Sequence, residues 1–234
     1  MLHVVIRSLA LLLILLFATP ATAQSVSSPL SRWILDSMIR AQPEAPWRDT
    51  YPQTAETFAK VATDSPLFSG EDGPRKTAAW LVSTAWFEGR FDPKAKGDGK
   101  CLDSEPVTVA QLEAAINSPP GTPMRPKLRC KKKGPPQSFC MFQVGKSNFE
   151  FLKTSEEEIM GSVEVCTRHA VTMMKSSISL CRSHPQDEWL AQYASGGGEC
   201  GGRVLPNGEK AGLLESRHRV NKAKWLFTNV KAKE

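Results

Sequence analysis

After Ala18 the chain has no second long apolar run, and spanning a bilayer takes about 20 apolar residues in a row, so nothing downstream is expected to cross a membrane. There is no CxxC and no HxxxH spacing, and His169, His184 and His218 share no metal-like interval. The usual signature of a zinc site is therefore missing, and neither metal nor cofactor is expected. No repeat or heptad is visible, which argues against solenoids and coiled coils. Basic residues are not interleaved with aromatic ones, which argues against nucleic acid as a partner.

What is present begins with an export leader. Arg7 precedes an apolar run from Leu9 to Ala18, and Ala21 and Ala23 occupy the small-residue positions that a signal peptidase reads. Residues 1–23 are thus expected to be a signal peptide, removed to leave a soluble protein starting at Gln24. A lipid anchor would need a cysteine there and is not expected. Loss of Arg7 lowers the net charge from +6 to about +5, a mildly basic balance suited to an anionic envelope. All six cysteines lie beyond the leader, and an even number in an exported chain points to disulfides.

The remaining pattern is mainly helical. Leu30, Trp33, Ile34 and Met38 recur at steps of three and four behind Pro29, and the helix they predict ends near Gln42. Ala55, Phe58 and Val61 mark a second helix. A third begins near Pro74, places Ala78, Leu81, Val82, Ala85 and Trp86 on one face and stops at Gly89, a residue type usual just past a helix end. Between Lys94 and Gln137 the pattern thins into Gly, Pro and Lys, apart from a short amphipathic piece that Thr108 is placed to cap. This reads as an insertion. Ser138 to Val144 is too short for a helix and reads as a strand or hairpin arm. Ser155 and Glu158 have capping-box spacing before a long core helix through Ile159, Val163, Cys166, Ala170 and Met173. Pro185 opens a helix with Trp189, Leu190 and Tyr193, ended by Gly196 to Gly198, and a last helix runs from about Leu213 to Phe227.

Glu88 lies seven residues after Leu81 and three after Ala85, so at helical periodicity it falls on the apolar face. Burial and the negative end of the helix dipole both disfavour its charged form and raise its pKa, as a general acid requires. The plainer alternative is a helix-end acid turned outward, or held by Arg90 or Lys94.

The stretch WFEGRFDPKAKGD, from Trp86 to Asp98, resembles the E-S-x-F-x-P-x-A signature of lytic transglycosylases and goose-type lysozymes through Glu88, Phe91, Pro93 and Ala95. SFCMFQVG resembles that family's S-x-G-L-M-Q-V turn through Ser138, Met141, Phe142, Gln143 and Val144. QYASGG resembles its A-Y-N-A-G segment through Tyr193, and Arg219, Lys222 and Ala223 resemble its closing R-x-x-K-A helix. The resemblance covers Thr77 to Phe227. It implies a mainly α, lysozyme-like α+β fold: a helical lobe, a small β-containing turn region and a disulfide-stapled insertion. The implied organisation is an N-terminal helical extension, 24–73, packed on a transglycosylase domain, 74–230, with the insertion at about 97–137.

The same resemblance implies cleavage of peptidoglycan glycan strands by a periplasmic or secreted enzyme, expected to be a monomer. Glu88 is the implied acid/base. Ser138, Met141, Phe142, Gln143 and Tyr193 are the implied substrate-binding residues, with Gln143 and the backbone around Met141 beside the scissile bond. Read without the family, Phe142 and Tyr193 are simply core aromatics. Three positions depart from the family pattern: Gly89 replaces its Ser, Cys140 its Gly and Ala194 its Asn.

A two-carboxylate hydrolase needs a second acid about 5–9.5 Å from the first. Asp92, Asp98, Asp103 and Glu105 are near in sequence, but none sits in a motif that would fix it opposite Glu88, and each reads best as a solvated loop acid. The family's single-glutamate mechanism, which leaves a 1,6-anhydro end, is the preferred expectation. A muramidase, and an idle glycan-binding or secretion-assembly protein, are the rivals.

Cys166 and Cys181 on one continuous helix would stand roughly 22 Å apart, beyond the reach of a disulfide at about 7 Å. The favoured pairing is Cys101–Cys130 across the insertion, Cys140–Cys166 from turn to helix and Cys181–Cys200 around the Tyr193 helix, one of fifteen connectivities. The basic run Arg125 to Pro136 reads as a solvated loop beside the turn.

Overall fold

The computed structural model describes residues 26–97, 134–196, 199–201 and 210–231. The leader, most of the insertion with the Thr108 segment, the basic run up to Lys133, the Cys101–Cys130 pairing, and Asp98, Asp103 and Glu105 lie outside the described residues. Within them the chain is mainly α-helical, with one two-stranded sheet.

Helix α1, Pro29–Ala41, starts where the Ser28 and Ser31 side chains each accept the other's backbone N–H, with Pro29 in the first turn, where its missing donor costs nothing. It buries Trp33, Ile34 and Met38 and gives way at Gln42. Helix α2, Tyr51–Asp64, buries Ala55, Phe58 and Val61. Helix α3, Gly73–Gly89, does not have the single apolar face expected of it, because every residue from Thr77 to Ala85 is buried. Helices α1, α2 and α8 (Ala211–Asn229) all pack against it. The small side chains of Ala78, Ala79, Ser83 and Ala85 let neighbours approach, so α3 is a central helix buried all round.

The segment expected to be a strand or hairpin arm is a complete hairpin. Strand β1, Ser138–Phe139, pairs antiparallel with β2, Val144–Gly145, in the register Ser138 to Gly145 and Phe139 to Val144. Lys96 bridges to Phe139 from the other side, which ties the chain beyond α3 to the hairpin.

Two expected helices are broken. After the short α4, Phe149–Leu152, the Ser155 and Glu158 capping box opens only α5, Glu156–Gly161. The backbone becomes extended at Ser162, whose hydroxyl accepts from Val165 N at 3.2 Å and caps a new helix, α6, Val163–Leu180. A serine that bonds the backbone locally offers the chain an exit from the helix, and hydrophobic periodicity alone does not register it. Likewise Pro185 caps a 3-10 turn, Gln186–Glu188, and the helix proper is α7, Ala191–Ser195.

Residues 26–73 share one continuous core with the rest of the described chain. Trp33 Nε1 donates to Val230 O at 2.6 Å, Tyr51 meets Phe91 edge-on at 5.4 Å, and Phe58 lies 5.4 Å from Phe142. Cys140–Cys166 joins the hairpin to α6, and Cys181–Cys200 staples the chain around α7. Among the described residues no helix is long and apolar enough to cross a membrane.

Candidate active site

The end of α3 is shaped by two left-handed residues. Gly89 was expected to be the residue just past the helix, but it is still helical, and Arg90 (φ 53°) and Phe91 (φ 62°) make the turn. Each costs about 1 kcal/mol in a non-glycine residue. Full burial of Phe91 against Tyr51, and the bond from Trp47 Nε1 to Arg90 O at 2.9 Å, hold the turn in place.

The glycine at 89 has another reason. A Cβ there would stand 2.7 Å from Met141 Cα and 2.9 Å from Met141 O, both backbone atoms of the hairpin turn. Glycine at this position is thus a packing requirement: the turn lies directly on the helix end. Cys140, the second departure, has φ 59°, so the position keeps the left-handed backbone that glycine favours, and its sulfur is bonded to Cys166.

Glu88 is held where these pieces meet. Its side chain is 18% exposed, and its Oε1 accepts from Arg219 NH2 at 2.5 Å. Neither Arg90 nor Lys94 pairs with it. Arg90 lies over the Trp86 ring and Lys94 Nζ donates to Met160 O. Arg219, itself almost buried, also donates to Glu215 O at 2.7 Å and lies 3.8 Å from the Glu215 carboxylate. Burial pushes the Glu88 carboxyl above its ordinary pKa. The Arg219 charge and hydrogen bond pull it down, the nearby Glu215 charge adds to the rise, and the net direction is upward.

Tyr193, on α7, is 9% exposed and donates its hydroxyl to Phe142 O at 2.6 Å. Burial first, and then the charge of Glu88, keep its phenol protonated well above the ordinary tyrosine range. It therefore acts as a fixed donor that clamps the turn beneath Glu88.

Compared with known proteins, the chain matches no family model, no curated protein and no solved structure. The resemblance therefore stands on its own residues.

All four motif segments converge: α3 brings Glu88, the hairpin turn covers Gly89, α7 brings Tyr193 and α8 brings Arg219. The residues expected to bind substrate differ in what they leave accessible. Met141 and Phe142, expected to bind substrate, have fully buried side chains, with Phe142 against Phe58. The turn lies directly on the helices, so Phe139 to Phe142 are buried in succession without strand alternation, which leaves only backbone at this point for a ligand. Ser138 and Gln143 are half-buried and bonded to each other at 2.7 Å, with Gln143 Nε2 also donating to Cys140 O at 3.1 Å. Asp92 is spent in its own turn, where Oδ1 accepts from Lys94 N at 2.8 Å. Two groups beside Glu88 were missed. The sequence resemblance places Arg219 in its closing helix without a role at the site, and Glu215 lies outside the matched motif. Their i,i+4 spacing was the available signal. Among the described residues no group of three or more His, Cys, Asp or Glu side chains is placed to hold a metal.

Proposed function

We propose that this chain is an exported lytic transglycosylase that cleaves the β-1,4 bond between N-acetylmuramic acid and N-acetylglucosamine in peptidoglycan, with Glu88 as acid and then base. The observation that carries the reading is the desolvated Glu88 carboxyl at the meeting point of α3, the hairpin turn, α7 and α8. In the acid step protonated Glu88 gives its proton to the leaving glycosidic oxygen as the bond to the anomeric carbon breaks. In the base step the resulting carboxylate takes the proton of the muramic 6-hydroxyl, whose oxygen closes onto the anomeric carbon. Glu88 ends protonated, a 1,6-anhydro end is formed and no water is consumed.

Opposed influences on Glu88 suit this cycle. Burial favours the neutral acid at the start, and Arg219 stabilises the carboxylate that exists between the two steps. Arg219 is thus a positioning residue in this scheme. The disulfides Cys140–Cys166 and Cys181–Cys200 fit an oxidising compartment outside the cytoplasm.

A second reading, hydrolysis by a muramidase, is favoured by one observation: Glu215 is a second carboxylate whose charge acts on Glu88. Masses of the newly formed ends released from purified sacculi separate the two. The transglycosylase reading expects ends lighter by one water, lost in Glu88→Gln and retained in Glu215→Gln. Hydrated ends, with activity abolished by Glu215→Gln, would establish the hydrolase instead.

A further inference from the structure

On α3, the turn after it and α8 lies an array of cations and indoles that the cleavage scheme does not use. Arg90 lies over the Trp86 ring at 4.3 Å from its centroid, Lys222 Nζ lies 5.2 Å from the same ring and 4.7 Å from the Trp225 ring. Arg90 is exposed, Trp225 is 46% exposed, and Trp86 and Lys222 are half-buried. Among the described residues neither Arg90 nor Lys222 forms an ion pair, and both lie against rings instead.

Ring faces carry negative quadrupole and hold each cation in place without neutralising it, so both charges remain available to an anion. The partly exposed Trp225 face supplies an apolar plane of the kind on which the C–H face of a pyranose rests. The array is built on the two helices that hold the Glu88–Arg219 pair: Trp86 precedes Glu88 by two residues and Lys222 follows Arg219 by three.

We infer that Arg90, Trp86, Lys222 and Trp225 form an accessory subsite that takes a carboxylate-bearing amino-sugar strand, its acid groups on the two cations and a sugar ring on Trp225. This rests on the glycan-cleaving reading above and adds to it a preference for glycan that still carries acidic substituents over neutral glycan. Charge complementarity selects the occupant. An anionic membrane would meet the same cations, but the residues flanking Trp225 on α8 are polar or charged (Lys224 and Thr228), and among the described residues the other exposed large apolar side chains, Phe151 and Leu180, lie on different elements, so no described apolar face for insertion surrounds the patch.

The test is calorimetric titration of the non-cleaving Glu88→Gln chain with three probes: a peptidoglycan oligomer bearing its peptide carboxylates, a neutral N-acetylglucosamine tetramer, and phosphatidylglycerol vesicles. Arg90→Gln/Lys222→Gln is expected to weaken the acidic oligomer about tenfold and leave the neutral tetramer unchanged, with recovery in Arg90→Lys/Lys222→Arg. Trp225→Ala should weaken both glycans. Thermal unfolding of each variant, and Trp225→Phe as a milder change, keep a folding defect from being read as lost binding. Unchanged affinity for the acidic oligomer, equal loss for both glycans in the double glutamine variant, or a loss confined to vesicles would overturn the subsite. If wild type is inert on sacculi but Arg90 and Lys222 still govern oligomer binding, the cleavage reading alone falls. If wild type cleaves but binding ignores these residues, the subsite alone falls.

Discussion

Glu88 is subject to two influences of opposite sign, and which one dominates fixes its chemistry. Burial raises its pKa and Arg219 lowers it, with burial the larger. Protonated Glu88 therefore contributes stability that is fully present below its unfolded-state pKa and is lost as pH rises through its higher folded value. Wild type should lose stability relative to Glu88→Gln as pH rises through that window, read from urea unfolding at stepped pH. Arg219→Gln removes the lowering influence. The fall of kcat/KM at the alkaline side should then move to higher pH, and stability should drop by about 3 kcal/mol, because a buried pair loses one partner. An unmoved pH limb would mean that Arg219 does not tune Glu88. Gly89 yields another test at this scale. Gly89→Ser introduces the serine of the signature that the segment resembles yet forces a Cβ into the Met141 backbone, so it should destabilise the chain by about 1–3 kcal/mol and impair the proposed cleavage instead of improving it.

At the scale of elements, the hairpin turn is fixed from three sides: by Gly89 beneath it, by the Tyr193 hydroxyl on Phe142 O, and by Cys140–Cys166. Removing the disulfide as Cys140→Ala/Cys166→Ala is expected to cost about 2–4 kcal/mol. Cys140→Gly/Cys166→Ala should be more stable than that variant by about 1 kcal/mol, since glycine adopts φ 59° without strain. Denaturant midpoints of the two variants check both figures. Much at this scale was legible in the sequence. Pro29, the Ser155 and Glu158 box and the 3.6-residue steps mark helices that are present. The breaks at Ser162 and after Glu188 were not legible, because apolar residues keep helical phase across both. The all-round burial of α3 was hidden too, since alanine and serine carry little hydrophobic signal on the faces that α1, α2 and α8 cover.

For the whole molecule, the chain's described ends meet. Val230 O accepts from Trp33 Nε1 and from Arg75 NH2 at 3.1 Å, and Val230 itself is buried. Residues 26–73 supply Tyr51 and Phe58, which pack under Phe91 and Phe142, so they form part of the site's foundation. A fragment of residues 74–234 is therefore expected to lack cooperative thermal unfolding and dispersed amide resonances. A well-folded fragment would show that the N-terminal helices are a detachable addition. Long-range contacts of this kind have no local signature, which is why the sequence marked the four converging segments but not the Glu88–Arg219 pair that 131 positions of chain separate.

The measurement closest to the central claim is release of soluble muropeptides from purified sacculi by the oxidised wild-type chain beside Glu88→Gln. Removal of the proposed acid/base is expected to lower release by at least about 100-fold, with both proteins folded by circular dichroism. Equal and negligible release by the two would contradict the account and leave a mainly helical, disulfide-bonded scaffold whose Glu88–Arg219 pair serves binding or structure alone.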